Sequence, residues 1–570
     1  MNTKTIALAL ALAVCTACVD TNLLPNDRTI DEDFWQTKSD VASMVTGAYR
    51  SMLDADVMAN LIVWGDVRSD ELLAVSTISG TIAEDLQEIE AAGTQSDNTF
   101  ANWQGLYEVI NNCNIVLRKA EPVMKIDPNY TQGDYLSDRS QMLALRALCY
   151  FYLVRAFRDV PYYSDAYMES SQELYIPQSA PATVLQNCID DLKEAEANAL
   201  DGYSFSDWQR TGLITRDAIR AILADIYLWR ASITHNEADY QSCADYCDKV
   251  LSLWRQNTSD DGTGSKVEGD YPLTQGAQAY RELYVSQNAD ESLLELQFDG
   301  RNNSNTSLCQ YFYKYRSSAS SGYVQAASNV FGQAGKSAPA FINAADYRYA
   351  NAVFNPNTSE SQLDVRKMIS TTPLYSASTA KRDASRDYSR FAQNYILYRM
   401  ADVMLMRAEA LTELAVDNDD ERLKEAFSLV ECVNSRSLNP SNSADALKWN
   451  TYSDKEAMEK LVLAERLREF CFEGKRYYDL MRYNFRHTTA ASLDKTLYEW
   501  QNEGNAFSAN YDEMLTLLTR KYVSAGSSYK AKMRLEPYLY MPIPQHDTKI
   551  NKLLNQNPVY SDEEEMEKNY

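Results

Sequence analysis

SQMLALRALCYFYLVRAF, residues 140–157, decides the fold class. Met142, Leu145, Leu148, Cys149, Tyr152 and Ala156 recur at steps of three and four, the spacing of one face of an α-helix. Thr183–Leu200 repeats the habit with Val184, Leu185, Cys188, Leu192 and Ala195. Thr215 reads as the N-cap of a helix over Arg216–Ser232, whose stripe runs Ala218, Ala221, Ile222, Asp225, Leu228, Trp229. A helix over Glu237–Trp254 follows directly. Asn394–Leu414 is apolar on nearly all sides and reads as a buried helix, paired with a second over Asp420–Ser435.

Small residues (Ala221, Ala224, Ala244, Ala408, Ala410) stand where paired helices approach closely. The spacing is that of tetratricopeptide-like hairpins, without a strict 34-residue repeat. The expectation is a mainly α fold, with a helical scaffold over 33–254 and 394–484. Between the two lies an irregular lobe, 255–393. Gln256–Gly269 is polar and loop-like, Arg301–Lys381 is rich in Ser, Asn, Ala and Tyr, and Glu291–Phe298 is the one convincing strand. Long irregular segments on a rigid scaffold are where binding residues sit. Leu535–Tyr560 is Pro-punctuated and reads as extended, and Ser561–Tyr570 as an acidic, mobile end.

The first eighteen residues read as an export signal. Lys4 precedes an apolar run, Ile6–Val14, far shorter than the ~20 residues that span a bilayer. Cys15-Thr16-Ala17-Cys18 follows, and Ala17 is small enough to precede a cut. The pattern is that of a lipoprotein signal over 1–17, with Cys18 acylated and one large body from 18 to 570. The formal charge of −25 argues against nucleic acid, whose phosphates need a basic face. It also argues against polyanionic ligands. Of ten Cys, eight remain after Cys15 and Cys18, scattered rather than in a disulfide framework. Cys243 and Cys247 have a metal-like i, i+4 spacing. They share a helical face with Tyr240, Ala244, Val250 and Leu251, so buried thiols are the better reading. His235, His487 and His546 stand far apart, with no zinc-binding spacing. No cofactor is implied; the sequence leaves room for a structural cation, and nothing in the spacing proves one.

A series of short motifs runs nearly end to end. Asp33-Phe34-Trp35 is followed by Gly47-Ala48-Tyr49, Trp64-Gly65-Asp66 and Ser69-Asp70-Glu71. Trp103-x-x-Leu106-Tyr107-x-x-Ile110-x-x-Cys113-Asn114 precedes Arg146-Ala147-x-x-Tyr150-Phe151-Tyr152-Leu153 and Asp159-Val160-Pro161. Tyr398-Arg399-x-Ala401-Asp402-x-x-Leu405-Met406-Arg407-Ala408-Glu409-Ala410 comes later. Glu465-Arg466-x-x-Glu469-x-x-x-Glu473-Gly474-x-Arg476-x-x-Asp479-Leu480-x-Arg482, Pro542-Ile543-Pro544 and Asn555-Gln556-Asn557-Pro558 close the series. In this order, behind a lipoprotein signal, the motifs resemble the SusD/RagB family of Bacteroidetes nutrient-binding lipoproteins. Arg158 departs from the pattern, because the family usually has Gly there.

The resemblance implies a single SusD-like domain, 18–570, with a helical scaffold and a ligand-facing lobe. It implies a surface subunit, lipid-anchored in the outer membrane, that caps a TonB-dependent β-barrel transporter of the SusC type. The expected cargo is a glycan, with peptides the alternative of the RagB branch. Net negative charge favours a neutral glycan, a starch-like glucan or a fructan such as levan. The resemblance also implies that the sugar site lies close to the start of the Trp103–Leu117 helix. Candidate glycan-binding residues are therefore Trp103, for stacking, and Asp85, in the loop-like stretch before it. The irregular lobe offers Tyr311, Tyr313, Tyr315, Tyr323, Arg386 and Tyr388 for the opposite wall. Trp103 shares a stripe with Leu106, Tyr107 and Ile110, which is equally the pattern of a core residue; Trp64 belongs to a scaffold motif.

No enzyme is expected. Glu465, Glu469, Glu473 and Asp479 are the carboxylates a glycosidase would need, but Arg466, Arg468, Arg476 and Arg482 interleave at helical spacing. The pattern is that of an ion network between helices. No G-x-S-x-G elbow occurs, so no hydrolase triad can be argued.

Overall fold

The computed structural model describes residues 34–169, 172–257, 273–274, 276–313, 322–332, 340–341, 346–354, 363–373, 391–439, 446–522 and 527–560. Cys18, Tyr315, Arg386, Tyr388, most of the Gln256–Gly269 loop and the Ser561–Tyr570 tail lie outside these residues.

Ten long helices carry the fold: α1 (Lys38–Ser51), α2 (Gln104–Val123), α3 (Gln132–Phe157), α4 (Pro181–Ala197) and α5 (Arg216–Thr234), then α6 (Glu237–Asn257), α7 (Met400–Leu414), α8 (Glu421–Ser435), α9 (Lys455–Phe470) and α10 (Arg476–Arg486). Neighbours pack in sequence: α1 on α2, α2 on α3, α3 on α4, α5 on α6, α6 on α7, α7 on α8 and α9. Only His235 and Asn236 separate α5 from α6, and His235 turns the chain in the left-handed region at φ 55°. The mainly helical scaffold of hairpins is thus found as expected.

α3 departs from its amphipathic reading. All residues from Ser140 to Phe157 are buried, polar ones included. The helix is wrapped by α1, α2 and α4, so its charged side chains need internal partners. Arg146 makes a two-pronged pair with Asp191 of α4 (2.9 and 2.8 Å), and Arg155 reaches Asp225 of α5 (3.3 Å). At its N-terminus, Thr131 and Asp134 cap each other's backbone reciprocally. At its C-terminus the chain bends through Arg158 (φ 66°, ψ −69°), with Asp159 N–H donating to Phe157 C=O at 2.9 Å. This is a γ-turn of the rarer, strained hand. Gly adopts this conformation without a Cβ penalty, and here Arg158 is held in it by Asp159 (2.7 Å) and the Lys495 carbonyl (2.9 Å).

Three expectations need correction. Asn394–Leu414 is not one helix: Tyr395–Arg399 forms a strand, and α7 starts at Met400. Tyr395, Ile396 and Tyr398 prefer a pleated surface, and Glu291–Phe298 supplies the partner strand (Ser292–Leu296). Leu535–Tyr560 is not simply extended, because Glu536–Leu539 and Pro558–Tyr560 are single turns and Gln545–Ile550 is a short helix. The lobe over 255–393 is less irregular than expected: its described parts include short helices at Thr306–Phe312 and Tyr347–Ala352. Two small ladders tie it to the scaffold. β1 (Leu72–Ala74) pairs with β3 (Val324–Ala326), and β2 (Ser292–Leu296) with β4 (Tyr395–Arg399), both antiparallel.

An ion network runs through the junction of α7, α9 and α10 with the lobe. Arg399, fully buried, joins Glu469 (2.5 Å) and Glu473 (2.9 Å). Arg348 of the lobe reaches Glu465 (2.7 Å) and Glu469 (2.8 Å), while Lys367 reaches Glu473 (2.6 Å). Arg436 bridges Glu291 and Glu469. Arg466 holds Asp402 and Asp479, Arg482 holds Glu409 and Asp479, and Arg476 holds Asp70. Burial alone would raise Glu473, but Arg399 and Lys367 outweigh it and hold the carboxyl down to about 2.

Candidate functional site

Trp103 lies immediately before α2, as the cap residue rather than within the helix. It is only 5% exposed. Its ring packs edge-on against Tyr107 (5.6 Å between centroids) and tilted against Phe157 (5.2 Å). Its Nε1 donates to Asp547 at 2.6 Å, from the Gln545–Ile550 helix that covers it. Tyr107 continues inward, donating to the Pro161 carbonyl (2.7 Å) and packing on Tyr150 and Tyr163. The indole is part of the core, with no open face for a sugar. Asp547, which closes it in, stands more than 400 residues away, where no local pattern reveals it.

Asp85 is on a helix, Thr81–Glu90, and not in a loop. Ile82, Leu86 and Ile89 give that helix its inward face. Its carboxylate accepts from Thr99 N–H (2.9 Å) and from the Thr99 hydroxyl, and its carbonyl accepts from Asn98 Nδ2 (3.0 Å). Asp85 thereby fixes the segment that carries Phe100 and leads to Trp103.

The lobe arrives at this same place. Tyr323 directly precedes β3, so its carbonyl accepts from Val75 N–H (2.9 Å) just beyond β1, while its own N–H donates to Gln310 C=O (3.1 Å). The β1–β3 register, Leu72 opposite Ala326 and Ala74 opposite Val324, sets that position. Tyr323 packs against Tyr311 (5.6 Å), and Tyr311 against Phe100 (6.2 Å). Gly322 permits the approach: a Cβ there would lie 2.6 Å from the Tyr311 carbonyl. Burial raises the Tyr311 hydroxyl, and Tyr323, Asp56 and Asp85 add to the effect. Tyr323 and Tyr311 thus meet Phe100, on the segment that Asp85 holds through Thr99 and Asn98. Tyr311 and Tyr313 are buried, and Tyr323 is the half-exposed ring. Ser76, Thr77, Ser79, Thr81 and Gln310 are exposed along the neighbouring segments. A half-open ring with hydroxyl and amide groups at its edge can take an apolar sugar face while bonding its hydroxyls. Phe100 and Gln310 carried no signal in the sequence, because their place here depends on the β1–β3 register.

The four carboxylates that a hydrolase would need are elsewhere. Glu465, Glu469, Glu473 and Asp479 are at most 3% exposed, and each accepts from a guanidinium. Cys243 and Cys247 are buried, with burial raising the Cys243 thiol well above its ordinary value. Among the described residues, no cluster of three His, Cys, Asp or Glu side chains could hold a metal ion, and no helix is long and apolar enough to cross a membrane.

Known proteins resemble the chain along most of its length. It is 24% identical to a SusD-like protein, P38, of Formosa agariphila over 509 residues, 84% of this chain and 91% of that one. A second Formosa agariphila protein, SusD-like P2, is also 24% identical, over 84% of this chain and 90% of its own length. Among solved structures, a SusD homolog from Bacteroides thetaiotaomicron superposes with a TM-score of 0.66 at 18% identity, covering 93% of this chain and 99% of that one. A SusD superfamily protein of the same organism gives 0.63 at 20% identity, covering 92% and 99%. Residues 24–228 match a family model described as "Starch-binding associating with outer membrane". Residues 235–560, more than half of the chain, match the model of the SusD family, and the chain belongs to that family.

Proposed function

We propose that this protein is a non-catalytic, cell-surface glycan-binding lipoprotein. It is held at the outer membrane through acylated Cys18 and delivers oligosaccharide or polysaccharide to a TonB-dependent, SusC-like transporter. The observation that carries this reading is the match of residues 24–228 to a family described as starch-binding and outer-membrane-associated. Three further features support it. The Phe100–Tyr311–Tyr323 cluster offers a partly open aromatic face, and Asp85 holds the segment that carries Phe100 through Thr99. The carboxylates that would suit hydrolysis are locked in ion pairs. The charge of −25 favours neutral cargo, a starch-like glucan or a fructan such as levan. Arg386 and Tyr388 stay candidate ligand contacts in this reading on their sequence alone, and Trp103 acts from beneath by setting the segment that bears Phe100. Modest affinity suffices, because a polymer offers many repeats to many copies of the protein.

The test is affinity electrophoresis of residues 19–570 in gels containing amylopectin, levan or galactomannan, one at a time. Retardation by one polysaccharide, lost in Tyr323→Ala, is the expected result. Equal retardation of Tyr323→Ala moves the site away from the cluster. Migration unaffected by any glycan, with calorimetric heat on mixed peptides, replaces the cargo by peptide.

A further inference from the structure

Of eight tryptophans, only Trp208 is exposed. Half of its surface is open to solvent (50%), and its Nε1 has no acceptor among the described residues. The ring is nevertheless firmly seated. Trp208 begins a four-residue turn, Gln209–Gly212, and its carbonyl accepts from Gly212 N–H (2.7 Å) and Thr211 N–H (3.2 Å). Asp207 fixes the entry by accepting from Gln209 N–H at 3.0 Å. The indole lies over Gly212, where a Cβ would come within 2.8 Å of Trp208 Cε3 and 2.7 Å of Gln297 Cγ. Absence of that Cβ lets the ring and the Gln297 chain close on each other.

The surroundings are polar. The other exposed residues of the approach are Asp201, Ser204, Ser206 and Asp207. Beneath the turn, Thr211 donates to Asn288 Oδ1 (2.6 Å), as does Gln297 Nε2 (2.7 Å). Arg210, on the same turn, pairs with the exposed Asp290 at 2.7 Å. A protein-docking face would surround such a ring with further exposed apolar side chains. An aromatic face packed on Gly212, on a stretch whose exposed residues are otherwise hydroxyls and carboxylates and whose Tyr203 and Phe205 are half-buried, suits a pyranose or furanose, with its C–H face on the ring and its hydroxyls toward the polar groups. Trp208 shares no residue with the Tyr323 cluster.

We propose that Trp208, seated on Gly212, is a second glycan-stacking platform that engages another stretch of the same neutral polysaccharide. The inference rests on the glycan-capture reading above. Two weak platforms on one chain raise the hold on a polymer through effective concentration.

The test uses residues 19–570 in the same amylopectin, levan and galactomannan gels. Trp208→Ala is expected to reduce retardation at least threefold, with Trp208→Phe close to wild type because it keeps a stacking face. Gly212→Ala, which retains the tryptophan but displaces the ring, is expected to fall between them. Bound polysaccharide is also expected to protect one tryptophan of the wild type from acrylamide quenching, and none in Trp208→Ala. Wild-type retardation that Trp208→Ala leaves unchanged, with no quenching difference, overturns the platform and leaves the capture reading standing. A wild type that no glycan retards overturns both.

Discussion

At Gly65 the space for a side chain is already taken: a Cβ there would lie 2.1 Å from the Gly474 carbonyl oxygen. That contact lets Asp66 accept from Gly474 N–H with both carboxylate oxygens at 2.9 Å, with Glu71 accepting from Phe472 N–H at 3.3 Å nearby. Burial lifts the Asp66 carboxyl from 3.8 to about 7, against hydrogen bonds from Gly474 and Glu71 that lower it, while burial and the neighbouring Asp66 charge lift Glu71 well above its ordinary range. The folded chain therefore keeps a proton that the unfolded chain releases near pH 4. Asp66 contributes its full stability below that pH and loses it as pH rises through about 7. Asp66→Asn, which keeps an acceptor for Gly474, should remove a slope of up to ~1.4 kcal/mol per pH unit between pH 4 and 7, read as the difference between the two melting profiles. Arg399 lies at the opposite extreme, a permanent charge fully buried between Glu469 and Glu473. Arg399→Ala removes the cation the two carboxylates share, leaving Glu473 to Lys367 and Glu469 to Arg348 and Arg436, and should cost about 3–5 kcal/mol in denaturant titration. Residue roles were only partly legible in sequence. Trp103 lay on a stripe with Leu106, Tyr107 and Ile110, and the stripe was the truer guide, since it marks the buried face. The meeting of Tyr323 and Tyr311 with Phe100 depends on a strand pairing across some 250 residues, which no local period encodes.

Among the elements, helices were readable wherever their period was sustained. Thr183–Leu200 became Pro181–Ala197, and Asp420–Ser435 became Glu421–Ser435 with Asp420 accepting from Arg422 N–H as its cap. Short elements were not. Tyr395–Arg399 is hydrophobic enough to continue either as helix or as strand, and only the partner over Ser292–Leu296 decides. α3 carries two tests. Leu148 is fully buried at its centre, so Leu148→Ala should cost about 2–5 kcal/mol and lower the melting temperature with little change in far-UV dichroism. Thr131→Ala removes the acceptor for Asp134 N–H in the reciprocal cap and should cost about 1 kcal/mol, an effect confined to the first turns of the helix.

Across the whole molecule, seven of the eight cysteines from Cys113 to Cys471 are buried free thiols, and Cys309 is half-buried. Burial pushes Cys113 and Cys471 up to about 12, far from the thiolate range. A reducing agent should therefore leave the melting temperature unchanged, and the native protein should react slowly with a thiol reagent that labels all eight once it is unfolded. A drop in melting temperature on reduction would contradict this. The clasp of Asp66, Asp70 and Glu71 on Phe472, Gly474 and Arg476 joins positions separated by some 400 residues. Such closures set an order of events during synthesis. Helices α1 to α6 can form as they emerge, but their shared centre stays open, with its acids unmatched, until the Glu465–Arg482 stretch has left the ribosome. A chain interrupted before residue 455 is a set of helices without a keystone, and the nascent protein remains pliable until nearly all of it exists.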